Sequence, residues 1–167
     1  MDGVINIEDL HQLAKAKIPR VVFDFIEGGV EDEIGIQHNE DAFRNIKLVP
    51  RYGVDTTTID LTTELFGKKY ASPLGIAPTG GAALFRRGAD RMLAEAGKAA
   101  DVPVILSGNG TGNPEEHGAI CGSHGWFQLY PARDMKISED IIRRAGDAGM
   151  PTLVVTMDVP KSSKRER

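Results

Sequence analysis

Continuous apolar runs, with no polar residues alternating inside them, recur through the second half of the chain. We predict four strands from these runs, at residues 74–77, 104–106, 127–129 and 153–156. A strand that is apolar on both sides belongs in a parallel sheet covered by helices. The runs follow one another every ~25–30 residues, which is typical of consecutive βα units joined by right-handed crossovers.

Each gap between the predicted strands carries the pattern of a helix. Residues 89–100 place an apolar stripe at helical spacing, formed by Met92, Leu93, Ala96 and Ala99. Residues 114–121 begin with Asn113 as the cap and Pro114 in the first turn, which is a favourable start. For residues 138–148 we predict Ser138 as the cap and Gly149 as the stop.

The N-terminal part of the chain has a different pattern. Asn6 can cap a first helix, whose first turn contains acidic residues. A second helix covers residues 21–26 and ends at the Gly28-Gly29 pair, which we expect to need positive φ. Residues 30–43 form a third helical stretch, and residues 46–65 consist of short extended segments.

Every predicted strand ends in polar or small residues. These are Pro78-Thr79-Gly80, Ser107-Gly108-Asn109, Gln128 with Tyr130, and Thr156 with Asp158. Ligand groups of an open doubly wound sheet gather at one switch point, whereas those of a barrel come from every strand. The pattern therefore favours a (β/α)8 TIM barrel, and since a complete barrel takes about 250 residues, the chain would hold its first half.

This interpretation divides the chain into two regions. We expect residues 1–70 to be a helical and extended segment that caps the barrel. Residues 71–167 would be the first four βα units, ending in the loop after the fourth strand.

The composition excludes several classes of protein. The 167 residues are 41% hydrophobic with a net charge of −4, which argues against nucleic-acid binding because phosphate contacts need a positive surface. No apolar run approaches the length of a transmembrane helix, and we do not expect the N-terminus to be a secretory signal. Cys121 is the single cysteine and cannot form an internal disulfide, which suits a reducing cytoplasm. The pattern indicates no metal site.

Two features invite functional interpretations that we reject. The glycine-rich residues 108–112 suggest a phosphate cradle, but the helix that follows begins with Glu115 and Glu116, which would repel phosphate. None of the four histidines lies at a strand end, so we expect structural or surface roles for His11, His38, His117 and His124.

Several stretches, in matching order along the chain, are similar to the family of FMN-dependent 2-hydroxy-acid dehydrogenases and oxidases, which includes glycolate oxidase, lactate oxidase and (S)-mandelate dehydrogenase. They are FDFIEGGVEDE (23–33), LFGKK (65–69), PLGIAPTG (73–80), LS (106–107), WFQLY (126–130) and TMDVP (156–160), followed by Arg165-Glu166. The resemblance implies a (β/α)8 barrel that binds FMN at its strand ends, a 2-hydroxy acid as the substrate, and a homo-oligomer, by resemblance a tetramer.

The resemblance also implies which residues would contact the cofactor. The backbone of three consecutive residues would lie against the reactive part of the flavin: Pro78, Thr79 and Gly80. Side chains from the next three strand ends would hydrogen-bond its pyrimidine edge: Ser107, Gln128 and Thr156.

Other roles implied by the resemblance concern the substrate. Tyr130 would bind the substrate hydroxyl, Asp158 would orient a catalytic histidine, and Arg165 would bind the substrate carboxylate. Phe25 stands where the family usually has a tyrosine that holds this carboxylate, and Asn109 stands at a position that shapes the substrate pocket. As alternatives, Tyr130 could simply cover the barrel mouth, and Asp158 could be an ordinary turn residue. Gln128 and Thr156 could satisfy backbone groups.

The family's catalytic histidine, a partner arginine, the lysine facing the flavin and the phosphate-binding loops would follow Arg167. We therefore expect the C-terminal half of the barrel as a separate chain or segment in the same assembly.

Two functional hypotheses follow. One hypothesis is FMN-dependent oxidation of an (S)-2-hydroxy acid to the 2-oxo acid, by proton abstraction or by hydride transfer. The alternative is a catalytically inactive half-barrel that folds only with a partner chain. Residues 24–33 argue against another FMN barrel, such as an isomerase. We expect a cytoplasmic protein, with any membrane attachment made through the missing half.

Overall fold

The structure is a computed structural model that describes residues 3–158 and Lys164. Within these residues the chain divides into two units. The first consists of residues 3–57 with Lys164, and the second consists of residues 58–158. The predicted boundary between the two regions, at residue 70, stays a prediction.

The first unit contains three helices, α1 (Ile7–Lys17), α2 (Arg20–Glu27) and α3 (Ile34–Asn45). The predicted cap of α1 is confirmed. The Asn6 side chain accepts a hydrogen bond from the Asp9 amide at 2.9 Å, and the Asp9 carboxylate accepts from the Asn6 amide at 3.2 Å. Two backbone donors at the start of the helix are thereby satisfied reciprocally.

The expectation of positive φ at the end of α2 is wrong. Gly28 leaves the helix with φ −75° and ψ 143°, an extended conformation open to any residue. Glycine is favoured at the neighbouring position 29 because of close packing, since a Cβ there would lie 2.8 Å from Cδ1 of Ile36. Gly29 thus marks a close approach to Ile36 of α3 rather than a left-handed turn.

Helix α3 begins four residues later than predicted. Glu31 and Glu33 have φ values of 50° and 60°, in the left-handed region. A right-handed helix cannot run through such residues, so the acidic residues precede α3 rather than forming its first turn.

The second unit begins with a hairpin that the sequence did not indicate. Strands β1 (Thr63–Leu65) and β2 (Lys68–Tyr70) pair antiparallel. Phe66 and Gly67 form the two-residue turn with φ of 51° and 77°, as a type I′ turn requires. Phenylalanine is unusual at the first of these positions, so the sequence lacks the Asn-Gly or Asp-Gly signal typical of such a turn.

The rest of the second unit alternates helices with parallel strands. The helices are α4 (Ala82–Phe85), α5 (Ala89–Ala99), α6 (Pro114–Cys121), a short 3-10 helix (Gly122–His124) and α7 (Met135–Asp147). The strands are β3 (Val104–Ser107), β4 (Gly125–Leu129) and β5 (Thr152–Val155), and they confirm three of the four predicted strands.

The first predicted strand, residues 74–77, is wrong as a regular strand. Only an isolated parallel bridge joins Ile76 to Val104. Pro73 and Pro78 bracket this segment, and Pro103 precedes the facing strand. Prolines cannot donate ladder hydrogen bonds, so the pairing is limited to Ile76, whose amide donates to Pro103 O at 2.9 Å and whose carbonyl accepts from Ile105 N at 3.0 Å.

The strand order decides between the barrel and the open sheet. The bridged segment at Ile76, β3, β4 and β5 lie side by side in sequence order, and the strand pairs are parallel. A doubly wound sheet reverses direction at a switch point, whereas a barrel adds each new strand on the same side. The predicted fold class, the first half of a (β/α)8 barrel, is confirmed.

Two helix details differ from the predictions. Helix α7 begins at Met135 with Asp134 as its cap. Ser138 is buried inside this helix, and its Oγ accepts a hydrogen bond from Ala132 N at 2.9 Å.

Helix α5 buries Ala94 and Gly97 and leaves Met92, from the predicted apolar stripe, 49% exposed. Small residues are required here because a Cβ at position 97 would lie 2.8 Å from Cβ of Val104.

The core of this unit consists of two clusters beside the sheet. One contains Leu106, Phe127, Leu129, Ala145 and Met150, and the other contains Ala94, Val104 and Cys121. Cys121 is fully buried, as predicted for a small core residue, and burial raises the pKa of its thiol to about 11. A thiol with such a pKa stays protonated and packs as an apolar group.

Candidate functional site

The strand ends of the second unit bring three predicted site residues into one hydrogen-bonded row. Ser107 Oγ donates to Gln128 Oε1 at 3.2 Å, and Gln128 Nε2 donates to Thr156 Oγ1 at 2.8 Å. The Gly108 amide also donates to Gln128 Oε1, at 3.1 Å. We call Ser107, Gln128 and Thr156 the polar row.

The register of the parallel strands produces this row. Ser107 lies opposite Gln128, and Gln128 lies opposite Val154. Thr156 follows Val154 by two residues and therefore faces the same side, and its amide continues the ladder to Leu129 O at 3.0 Å. A one-residue shift of any strand would move its member of the row to the opposite face.

The row retains unused hydrogen-bonding capacity. Gln128 is 1% exposed, and its Oε1 accepts two hydrogen bonds, from Ser107 Oγ and from Gly108 N. Its second Nε2 proton and the Thr156 hydroxyl proton have no partner within the described part of the chain. The row thus offers neutral donors, and such groups bind carbonyl oxygens of a ligand.

The segment at residues 78–80 lies next to the first member of the row. A Cβ on Gly80 would lie 3.3 Å from Asn109 Cβ and 3.7 Å from Ser107 Oγ. Gly81 N donates to Asn109 O at 3.1 Å and fixes this approach. Pro78 is half-buried, whereas Thr79 and Gly80 are exposed.

Three further predicted residues lie within three positions after the end of a strand. Asn109 is exposed, and its amide donates to Ser107 Oγ at 3.2 Å. Tyr130 comes directly after β4 and is 40% exposed. Asp158 is exposed two residues after Thr156. All three lie on the same end of the sheet as the polar row, because the carboxyl ends of parallel strands share one edge.

Two predicted site residues are not among the described residues of the second unit. Phe25 belongs to the first unit, on α2, where 53% of it is exposed. Arg165 lies outside the described residues. Their roles stay predictions.

Sequence reasoning missed Asp90, in the first turn of α5. One of its carboxylate oxygens accepts three bonds, from Thr111 N at 3.1 Å, Thr111 Oγ1 at 2.7 Å and Gly112 N at 3.0 Å. The amides that a phosphate would need are thus taken by a carboxylate of the same chain, which supports the rejection of a phosphate cradle. Asp90 is twenty-one residues away from Thr111, and no local pattern connects them.

Two histidines have structural contacts, in keeping with the expectation. His117 is 4% exposed, its Nε2 lies 3.3 Å from Val104 O, and burial lowers its pKa. His124 Nε2 lies 2.6 Å from an Asp101 carboxylate oxygen. Both groups are at the ends of elements away from the polar row, since Val104 and Gly125 begin their strands.

The comparison with protein families gives a single answer. The model of the family described as FMN-dependent dehydrogenase matches residues 14–167. The chain belongs to this family. FMN is the cofactor of the family, and the predicted cofactor is confirmed at that level.

Curated relatives match nearly the whole chain. A 2-hydroxyacid oxidase of Dictyostelium discoideum is 35% identical over 99% of this chain and 43% of its own length. The (S)-mandelate dehydrogenase of Pseudomonas putida is 37% identical over 99% of this chain and 42% of its own length. A peroxisomal (S)-2-hydroxyacid oxidase of Arabidopsis thaliana is 33% identical over 99% and 46%. The chain thus spans less than half the length of these relatives.

Solved structures agree with the sequence comparison. A soluble mutant of the membrane-associated (S)-mandelate dehydrogenase from Pseudomonas putida matches with a TM-score of 0.93 at 36% identity, over 99% of this chain and 47% of that one. A mandelate oxidase matches with a TM-score of 0.91 at 34% identity, over 97% and 47%. Among residues 3–158, no helix is long and apolar enough to cross a membrane.

The polar row is chemically suited to the ring of the family's cofactor. A flavin edge presents carbonyl oxygens and an N–H group, which neutral amides and hydroxyls can match. The free proton of Gln128 Nε2 and the Thr156 hydroxyl supply donors, and Gly80 leaves backbone uncovered beside Ser107. These residues therefore fit the flavin ring.

Proposed function

We propose that this chain supplies the N-terminal part of the FMN site of an enzyme that oxidises an (S)-2-hydroxy acid to the 2-oxo acid. The observation that carries the proposal is the polar row, built across three consecutive strand ends. Two relatives are named as a 2-hydroxyacid oxidase and an (S)-mandelate dehydrogenase, and these names support a 2-hydroxy acid as the substrate.

Ser107, Gln128 and Thr156 would bind the pyrimidine edge of the flavin, with the backbone of Pro78, Thr79 and Gly80 beside the ring. Bound FMN would accept the two electrons removed from the substrate. The half-buried Pro78 and the exposed Thr79 and Gly80 leave this backbone open on one side, which supports the assignment.

The remaining roles concern the substrate. The Tyr130 hydroxyl would donate to the substrate hydroxyl oxygen and stabilise negative charge that develops on it. Asp158 would hold a histidine supplied by the other half of the barrel in the tautomer that accepts a proton from the substrate. Arg165 would bind the substrate carboxylate, and Phe25 and Asn109 would line the space for the substrate side chain.

The partners follow from the same proposal. The C-terminal half of the barrel would assemble with this chain as a separate chain or segment, and the complete enzyme would form a homo-oligomer, a tetramer in our proposal. We place the enzyme in the cytoplasm, because the single cysteine of this chain is a buried thiol, which suits a reducing compartment.

The test is reconstitution followed by substrate addition. This chain is produced together with the C-terminal remainder of the Pseudomonas putida (S)-mandelate dehydrogenase, and the product is examined for flavin absorbance. Anaerobic addition of mandelate or glycolate should bleach the flavin. The variant Gln128→Ala should lose flavin, whereas Gln37→Ala, an exposed change on α3, should not.

The outcomes separate the two candidate functions. An assembly that binds flavin but is not bleached by any 2-hydroxy acid would favour the catalytically inactive half-barrel that folds only with a partner. An assembly that forms without binding flavin would contradict both the cofactor site and the activity.

A further inference from the structure

The segment after β3 has a composition that does not fix its own conformation. Residues 108–112, which we call the glycine loop, contain three glycines, and they carry Asn109. Glycine loses more conformational freedom on ordering than any other residue. The backbone of Asn109 is held by Ser107 and by Gly81, whose amide donates to Asn109 O at 3.1 Å. The residues that follow Asn109 depend on other contacts.

The first part of the glycine loop is held by Ser107. The Asn109 amide donates to Ser107 Oγ at 3.2 Å, and the Gly110 amide donates to Ser107 O at 2.9 Å. A Cβ on Gly108 would lie 2.7 Å from Gln128 O, so the loop leaves β3 pressed against β4.

The far part of the glycine loop is held by Asp90 alone among the side chains described. Its Oδ2 accepts from Thr111 N, Thr111 Oγ1 and Gly112 N, at 2.7 to 3.1 Å. Hydrogen bonds to a carboxylate are about twice as strong as those between neutral groups. Three of them on one oxygen anchor the segment that follows Asn109.

The glycines fit around this carboxylate. A Cβ on Gly110 would lie 3.3 Å from Asp90 Oδ1, and a Cβ on Gly112 would lie 3.1 Å from Asp90 Cβ. The loop is therefore glycine-rich where Asp90 approaches it, which gives the composition a reason other than phosphate binding.

We propose that Asp90 is a positioning residue that influences substrate preference by holding the part of the glycine loop that follows Asn109. It acts through the backbone of Thr111 and Gly112. The inference rests on the proposed function, in which Asn109 lines the space for the side chain of the 2-hydroxy acid. Releasing the glycine loop should change the size of that space, and so change which side chains are accepted.

The experiment compares kcat and KM for glycolate and mandelate in the reconstituted enzyme. Asp90→Ala should change the ratio of the two kcat/KM values by about tenfold, the low end of what pocket contacts contribute to discrimination, mainly through KM. Asp90→Asn keeps an acceptor oxygen and should restore most of the wild-type ratio. Thr111→Val removes one of the three bonds and should have a smaller effect. Asp147→Ala, an exposed acid on α7, is the matched control.

Amide hydrogen exchange gives a second readout that does not depend on turnover. The Thr111 and Gly112 amides should exchange faster in Asp90→Ala than in Asp90→Asn or the wild type. If Asp90→Ala does not fold, the graded series of Asp90→Asn and Thr111→Val provides the same comparison.

The results distinguish the failure of this inference from failure of the proposed function. An active wild type whose substrate ratio and amide exchange are unmoved by Asp90→Ala overturns the role of Asp90. A wild type that oxidises no 2-hydroxy acid overturns the proposed function and the specificity role with it.

Discussion

Gln128 uses both ends of its amide to connect three strand ends. Its oxygen accepts from Ser107 Oγ and Gly108 N, and its nitrogen donates to Thr156. At 1% exposure it has no water to replace these bonds. An apolar residue of similar size would therefore leave several buried or half-buried polar groups without a partner.

We expect Gln128→Leu to lower the free energy of unfolding of the assembled protein by about 1–3 kcal/mol, the penalty for an unsatisfied buried group, and to abolish flavin binding. Denaturant titration and flavin absorbance measure the two effects. Gln128→Glu retains the acceptor oxygen and tests the donor end separately. Unchanged flavin affinity in the leucine variant would contradict the role of the polar row.

Tyr130 gives a prediction about rate rather than stability. If its hydroxyl donates to the developing charge on the substrate, Tyr130→Phe should raise the activation barrier by about 3 kcal/mol, while flavin remains bound. Turnover of the reconstituted enzyme at saturating substrate is the measurement. Because the side chain is 40% exposed, the free energy of unfolding should change little. An unchanged turnover number in Tyr130→Phe would rule the role out.

At the scale of elements, helices α6 and α7 meet through a charged pair and a glycine. Arg144 donates to both carboxylate oxygens of Glu115, at 2.7 and 2.9 Å. Gly118 lies on the same helix as Glu115, where an added Cβ would overlap the carbonyl oxygen of Ala148. These contacts hold two successive βα units side by side.

The charged pair predicts a dependence of stability on pH. Hydrogen bonding to Arg144 lowers the pKa of Glu115 from 4.5 to about 2. A depressed pKa contributes stability that is fully present above 4.5 and is lost as the pH falls through about 2. The difference in Tm between the wild type and Glu115→Gln should therefore shrink over this range. A constant difference would show that the pair does not contribute.

The glycine predicts a large effect of one methyl group. In Gly118→Ala the new Cβ would lie 2.7 Å from Ala148 Cβ, and we expect a loss of about 1–3 kcal/mol from overpacking. Gly146→Ala, in α7, is the matched control, because nothing lies within 4 Å of its added Cβ. Denaturant unfolding should show the control unchanged or more stable, since alanine favours helix. Equal effects at the two sites would contradict the close helix contact.

The elements differ in how far the sequence determines them. Residues 104–106, 127–129 and 153–156 were predicted because apolar runs identify buried parallel strands. Residues 74–77 carry the same pattern, but their flanking prolines reduce them to one bridge. The polar row could be predicted, because it follows from strand ends. The contact of Asp90 with the glycine loop could not, because tertiary packing alone brings those residues together.

At the scale of the whole molecule, strand β5 is the outer strand of the parallel sheet. It pairs with β4 on one side, and its other edge has no partner strand within residues 3–158. Leu153 and Val155 are 40% and 46% exposed, whereas Phe127 on β4 is 3% exposed. Parallel sheets are normally covered on both faces and do not end in an open apolar strand.

We therefore expect this chain alone to self-associate or aggregate, and to become soluble when the remaining half of the barrel is supplied. Size-exclusion chromatography of the chain, alone and reconstituted, measures this. Leu153→Lys should reduce the aggregation of the isolated chain, because charge protects an edge strand, and should also block reconstitution. Leu153→Val keeps the strand apolar and should do neither. A soluble monomer of the isolated chain would show that β5 needs no partner.

FMN should bind only after reconstitution, because its phosphate site would belong to the other half. Tight binding of FMN by the isolated chain would contradict this expectation.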